Sequence, residues 1–310
     1  MNSPRRRPRA KHLLGKMFSM TPYSNQRYSL VFWAFAVAVW PLRPIVADAP
    51  EGYQLSFSEE FDGDQLDLNR WAYRADAKHR SIQRAENIHV ADGSLRLHLT
   101  PLEKRIQGKA NAGAGIVTLE RFHYGYYEVR ARLGDGIDHD QDGQVDEGWH
   151  HAFWAMFAKP MANADPPGSI LTTYPPERRT EIDCYENADG KGGYNRFTQH
   201  VIIWKPNGKE HGRRPKPPTD HVEPQRRAGK SFDATKWNTY AFEWTAQGVQ
   251  FFVNGEPTVY GEYPVEEFEH DRLNVWLTAI AANWCDKDPE LSRAEYDYFR
   301  YYAPSSDASN

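Results

Sequence analysis

The hexapeptide Glu181-Ile182-Asp183-Cys184-Tyr185-Glu186 places three carboxylates among residues that are apolar, aromatic and strand-forming. A solvated acidic surface has no reason to be interleaved in this way. Along a strand, residues i, i+2 and i+4 share a face. That rule unites Glu181 with Asp183 but turns Glu186, at i+5, to the opposite side. One extra residue, a β-bulge, brings Glu186 back. All three acids then line one face, while Ile182 and part of Cys184-Tyr185 turn into the core.

Two carboxyl groups about 5–5.5 Å apart suit a double displacement at a glycosidic carbon, one attacking it and the other donating and then removing a proton. A five-residue span sets the two Glu Cα atoms roughly 13–16 Å apart at about 3.3 Å per residue. Two Glu side chains leaning together over a concave sheet would close most of that gap. Crowded carboxylates do not all ionise cheaply, so one is pushed up in pKa and becomes the acid. Taken alone, the hexapeptide also fits a charged edge strand or a metal site of hard oxygen ligands.

The surrounding chain reads as the sheet such a strand needs. Alternation marks strands at Tyr53–Ser58, Ile88–Val90, Ser94–Thr100, Tyr124–Leu133, Thr198–Trp204, Thr239–Trp244, Val249–Val253, Leu273–Ile280 and Tyr296–Tyr302. Asp92-Gly93 and Asn254-Gly255 are hairpin turns. Many short strands, no long helical pattern and no internal repeat predict a single all-β domain, a β-sandwich or jelly roll. Two cysteines, Cys184 and Cys285, make no disulfide framework and no zinc spacing; Cys184 reads as a small core residue.

Charge divides the chain. Residues 1–47 carry eight of the 38 Lys/Arg and no acid, which leaves the remainder with 30 basic against 42 acidic residues. A body that acidic argues against a nucleic-acid partner. The basic head precedes the apolar run Leu30–Trp40, then Pro41 and small residues at Ala47 and Ala49. This is the layout of a secretory signal peptide over 1–47, cut after Ala47; an uncleaved membrane anchor is the other reading, for which the run is short. The expectation is therefore export to the periplasm or medium, with no membrane attachment after cleavage.

Three insertions interrupt the strands. Asp138, Asp140 and Asp142 at alternate positions before Gly143 resemble the start of a calcium loop, with Trp149 where the closing Glu would fall. Asp146 or Glu147 could substitute, and a solvated acidic turn is the plainer reading. The second, Pro160–Arg179, is polar and Pro-rich. The third, Lys205–Lys230, is basic, either a solvated rim or a surface for an anionic polysaccharide.

In sequence order, several segments resemble glycoside hydrolase family 16. They are Phe57–Asp62, Leu66–Trp71, Glu86–Leu95, Tyr124-Gly-Tyr-Tyr-Glu-Val-Arg130, Ala152-Phe-Trp154, the acidic hexapeptide, Tyr240–Trp244 and Tyr296–Arg300. The resemblance spans nearly all of 51–303, leaving 304–310 as a tail. It implies a concanavalin-like β-jelly-roll sandwich with a concave cleft that binds a β-linked polysaccharide along its length, and an endo-acting retaining mechanism. Glu181 becomes the nucleophile, Glu186 the acid/base and Asp183 the group assisting the nucleophile. His200 falls where the family often has a histidine near the cleavage point. Trp149 and Trp284 are candidates to stack on sugar rings, and Trp154 could serve the cleft or the core. The chemistry requires no cofactor, and the chain is expected to be a monomer. A structural calcium is implied at Glu60, the Gly93 carbonyl and Asp297, with Asp138, Asp140 and Asp142 as a second candidate.

Two departures touch the cleft. Ala281-Ala282-Asn283-Trp284 replaces the Gly-Gly-x-Trp of the family's β-1,3-glucanases, and Trp149-His150-His151-Ala152 replaces a common Trp-Pro-Ala. They leave the substrate open between β-1,3- or mixed-linkage glucans and galactans such as agar, porphyran or carrageenan. A transglycosylase would use the same acids. A non-catalytic carbohydrate-binding module would need the aromatic platforms but not the acids, and a calcium-dependent adhesive domain would draw on the Asp138 loop.

Overall fold

The computed structural model describes residues 49–141, 143, 148–160, 169–171, 179–187, 197–204, 210–213, 221–222, 232–262, 272–285 and 288–305. Residues 1–47, the expected signal peptide, together with Asp142 and most of the Pro160 and Lys205 insertions, lie outside them. No helix among the described residues is long and apolar enough to cross a membrane.

The fold is all-β, as the alternation predicts. In one sheet, Ser292–Pro304 is flanked on one side by Tyr53–Glu59 and Ser94–Ile106, and on the other by Gly125–Leu133. Asn238–Trp244, Gly248–Val253 and Glu256–Glu262 extend it. The second sheet runs from Trp71–Tyr73 through Lys109–Thr118, Asn274–Ile280, His150–Met156 and Arg179–Asn187 to Phe197–Trp204. Its outer edge is covered by the short strands Glu210–Arg213 and His221–Val222. The core fills the space between the sheets with aromatic rings, among them Trp71, Phe122, Tyr127, Phe153, Tyr185, Phe242 and Phe299.

Registry sorts the second sheet into two faces, because residues opposite one another on neighbouring strands share a face. Ile182 opposes Ala155, which opposes Val275, and all three belong to the core. Asp183 opposes Trp154, Trp154 opposes Trp276, and Trp276 opposes Val117. That second set lies on the outer face of the sheet and builds a separate apolar cluster with Ala72, Ala152, Met156 and Ala158.

Several strands escaped the alternation rule, among them His150–Met156, Glu256–Glu262 and Lys109–Thr118. Lys109–Thr118 (KANAGAGIVT) is buried from Asn111 onward on both faces, so its apolar residues run without a break. Its glycines serve close approach. A Cβ on Gly113 would meet the Ala279 carbonyl oxygen at 2.4 Å, and one on Gly115 would meet Thr278 Cγ2 at 2.8 Å.

Candidate active site

The acid strand Arg179–Asn187 is held on both sides, by His150–Met156 and by Phe197–Trp204. Against the first its register shifts between Asp183 and Tyr185, and against the second between Asp183 and Glu186. This is the bulge the spacing demanded. Ile182, Cys184 and Tyr185 all enter the core, and the Tyr185 hydroxyl meets that of Tyr296 at 2.9 Å. With two successive residues turned inward, Glu186 returns to the side of Asp183. Carboxylate oxygens of Asp183 and Glu186 and a ring nitrogen of His200 lie within 4.8 Å of one another.

His200 bridges the two acids. Its Nε2 is 3.0 Å from Asp183 Oδ2 and 3.5 Å from Glu186 Oε2. His150 approaches from the other neighbouring strand, with Nε2 3.1 Å from Glu186 Oε1. Lys78 completes the surround. Its charge acts on both Glu181 and Glu186, while burial and the nearby Arg74 push its own pKa down. Arg74 is buried and paired with Asp76, Nε to Oδ1 at 2.6 Å and Nη2 to Oδ2 at 3.0 Å.

These contacts pull the two acids apart in protonation. Burial, then the neighbouring Glu186 charge, raises Asp183 against the opposing pull of His200. Burial works to raise Glu186 too, but the His150 hydrogen bond and the charges of His200 and Lys78 outweigh it, so Glu186 lies below the usual carboxylate range. Burial works against the charge on His200, yet Asp183, Glu186 and Glu181 push its pKa up to about 9. Near neutral pH the ring carries a proton between Asp183 and Glu186.

The tryptophans divide. Trp149 is not a sugar platform: it is fully buried in the core, and its Nε1 donates to the Glu290 carbonyl at 2.7 Å. Its place just before the Ala152-Phe153-Trp154 segment concealed that its ring turns inward. Trp154 lies on the acid face but stacks flat on Trp276, with centroids 4.8 Å apart and planes at 21°, and its Nε1 donates to Thr278 Oγ1 at 3.0 Å. It forms a floor under the acids rather than an open platform. Trp284 is 52% exposed, edge-on to His79 at 4.6 Å and to His150 at 5.2 Å. It alone of these three offers a free aromatic face.

The calcium candidates divide as well. Glu60 is held bidentately by Arg300, at 2.9 and 2.8 Å, and Asp297 Oδ2 lies 2.6 Å from Arg130 Nη1. Gly93 sits in the Asp92-Gly93 turn with φ +71. Both carboxylates are thus already compensated by guanidinium groups, and the set fits a calcium ion poorly. Asp138 and Asp140 meet Glu290, with carboxylate oxygens within 4.8 Å of one another. Glu290, from the segment before the last strand, stands where a closing carboxylate would be needed and Trp149 does not. Sequence spacing could not supply it, since it lies 150 residues beyond Asp140. Asp142 lies outside the described residues.

No family model matches the chain. A curated β-porphyranase B from Phocaeicola plebeius is 31% identical over 101 residues, which is 27% of this chain and 32% of that protein. The chain spans about a third of the length of the two curated porphyranases it matches first. The catalytic laminarinase domain LamAcat from Zobellia galactanivorans aligns with a TM-score of 0.60 at 17% identity, covering 81% of this chain and 98% of that one. SCLam, a non-specific endo-β-1,3(4)-glucanase of family GH16, aligns with a TM-score of 0.58 at 20% identity over 83% and 94%. The fold is that of glycoside hydrolase family 16. The jelly roll and the resemblance drawn from the sequence are borne out together. Within that fold, His150, Lys78, the Arg74–Asp76 pair and Glu290 are the functional-site residues that motif reasoning did not reach. Only the Trp-His-His-Ala departure pointed at one of them.

Proposed function

We propose that this chain is an exported, endo-acting retaining glycoside hydrolase that cleaves a β-linked polysaccharide. The observation that carries the reading is the bulge at Cys184-Tyr185, which gathers the acids of one strand on the outer face of the sheet. Glu181 attacks the anomeric carbon, Glu186 protonates the departing glycosidic oxygen, and a glycosyl ester forms on Glu181. Glu186 then takes a proton from water, the water oxygen attacks the same carbon, and the ester bond breaks with net retention. Asp183 fixes His200 and keeps a protonated ring beside Glu186.

Glu186 is ionised in the free site, and its proton must come from close by. His200 holds one 3.5 Å from Oε2. A sugar that excludes water from Glu186 raises its pKa and draws that proton across. Trp284 offers the platform beside the site, and the Trp154–Trp276 stack stiffens the floor. Candidate polymers are β-1,3- and mixed-linkage glucans and the galactans agar, porphyran and carrageenan. Asp138, Asp140 and Glu290 would hold a structural calcium away from the chemistry.

The test is reducing-end release from laminarin, lichenan, agarose, porphyran and carrageenans, with NMR of the first anomer formed. Retained product from at least one polymer is expected. Inverted product would refute the mechanism, and silence on all of them would refute the hydrolase reading.

A further inference from the structure

His150 belongs to the Trp149-His150-His151-Ala152 segment that departs from the family's common Trp-Pro-Ala. It is buried, and its ring orientation is set by the edge of Trp284 at 5.2 Å on one side and by its strand neighbours on the other. Nε2 meets Glu186 Oε1 at 3.1 Å, while Nδ1 is buried with no hydrogen-bond partner. A bare nitrogen tolerates that position better than an unpaired N–H, because a buried donor left unsatisfied loses its hydration without return. Nε2 is therefore the ring nitrogen that turns a proton toward Glu186.

We propose that His150 is a positioning residue for Glu186: its Nε2–H donates to Oε1, favours the carboxylate form and leaves Oε2, on the His200 side, as the oxygen that takes up the proton. The role rests on the reading of Glu186 as acid/base. Glu186 is faced by His150 from one neighbouring strand, by His200 from the other, by Asp183 on its own strand, and by Lys78 from the segment across the site. Burial above all pushes His151 down to about 3, and burial and Lys78 push His79 down to about 4. Both stay neutral and leave His150 as the hydrogen-bonding contact at Oε1.

The experiment reads Glu186 directly. The full chain is labelled with 13C at glutamate Cδ, and the resonance lost in Glu186→Gln identifies Glu186. His150→Phe keeps a ring against Trp284 and removes the donor; the Glu186 midpoint is expected to rise by about one pH unit or more, the worth of a hydrogen bond to a charged group. His150→Gln, which keeps a donor, is expected to restore most of the shift. A midpoint that stays or falls in His150→Phe, or a rise that His150→Gln leaves in place, would overturn the proposal. Should neither variant fold, 15N shifts of His150 in the unaltered chain decide: a proton on Nε2 supports it and a bare Nε2 overturns it. No substrate is present in these measurements, so silence on every polysaccharide would end the hydrolase reading without touching this result.

Discussion

Asp183 and Glu186 lie on a strand paired along both edges, and their partners are histidines, His200 and His150. Asp138 and Asp140 lie on a loop and meet a third carboxylate, Glu290. In the first cluster a histidine supplies positive charge that comes and goes with a proton, and the two acids titrate apart on a fixed frame, Asp183 raised and Glu186 lowered. In the second, the His139 ring turns to Asp135 and backbone N–H groups of His139 and Gly143 donate to Glu290 and Asp138, so a hard divalent cation would be the counter-charge for these three carboxylates. Acid crowding is common to both; the difference in proposed role, proton handling against metal binding, follows the partner.

The comparison breaks first at the chemistry. Glu181→Gln and Glu186→Gln should each lower kcat by about a thousandfold or more, since general acid help alone is worth 10²–10⁴, while the thermal midpoint stays near its original value. Near-full activity in either variant would put the catalytic pair elsewhere. The Asp138 cluster predicts the opposite pattern, in which Asp140→Asn moves stability and leaves kcat alone.

Trp149→Ala should destabilise the chain by about 3–5 kcal/mol, the usual cost of deleting a buried aromatic ring. The loss includes the hydrogen bond to the Glu290 carbonyl, which anchors the segment bearing the third carboxylate of the loop cluster. Urea unfolding measures it. A midpoint unchanged by the substitution would contradict the core placement.

His200 gives the first cluster a pH signature. Its folded pKa lies near 9, above the value of about 6.5 for a free histidine. A raised pKa means the folded state holds the proton more tightly. The stabilisation is complete below about pH 6.5 and disappears as pH climbs through the folded value. Unfolding free energy should therefore fall between pH 6.5 and 9 in the unaltered chain, and His200→Gln should flatten that stretch. Asp183, raised from the ordinary carboxylate value, acts at lower pH, so acid-side changes do not imitate this one. An equal slope in both chains would separate His200 from Asp183 in solution.

Calcium tests the other cluster. At an ion concentration 100-fold above its dissociation constant, binding to the folded state alone adds about 2.7 kcal/mol, which is several degrees in Tm for a chain of this size. Chelation should remove that increment, and Glu290→Gln should make the chain indifferent to both calcium and chelator. An increment that survives Glu290→Gln would return the ion to the Glu60–Asp297 set.

How far the sequence disclosed these two regions follows from what each depends on. The bulge was legible because it is a local matter: five residues of spacing and two faces leave one way to unite Glu181, Asp183 and Glu186. The alternating strands were legible for the same reason. Lys109–Thr118 was not, since a strand buried on both sides carries no alternation, and its glycines make sense only against Ala279 and Thr278 of another strand. His150 and Glu290 were hidden by distance along the chain, 36 residues from Glu186 and 150 from Asp140. Trp149 was misplaced because adjacency to the site says nothing about which way a ring points; one residue of phase separates a core tryptophan from a cleft one.

That phase argument yields the smallest effect and the sharpest contrast. Trp284 is half exposed and touches the site only through ring edges, those of His79 and His150. Trp284→Ala should leave thermal stability within about 1 kcal/mol, as befits an exposed side chain. It should raise KM several-fold for a polymer the chain cleaves, because a sugar ring would lose the aromatic face it packs on. The change at kcat should be smaller than at KM if the platform holds substrate and transition state alike. Trp149→Ala should invert the pattern, with stability lost and KM held in the fraction that stays folded. Were Trp284→Ala to lower Tm while sparing KM, its contacts with the two histidines would be structural, and the sugar would have to find its platform among the loops.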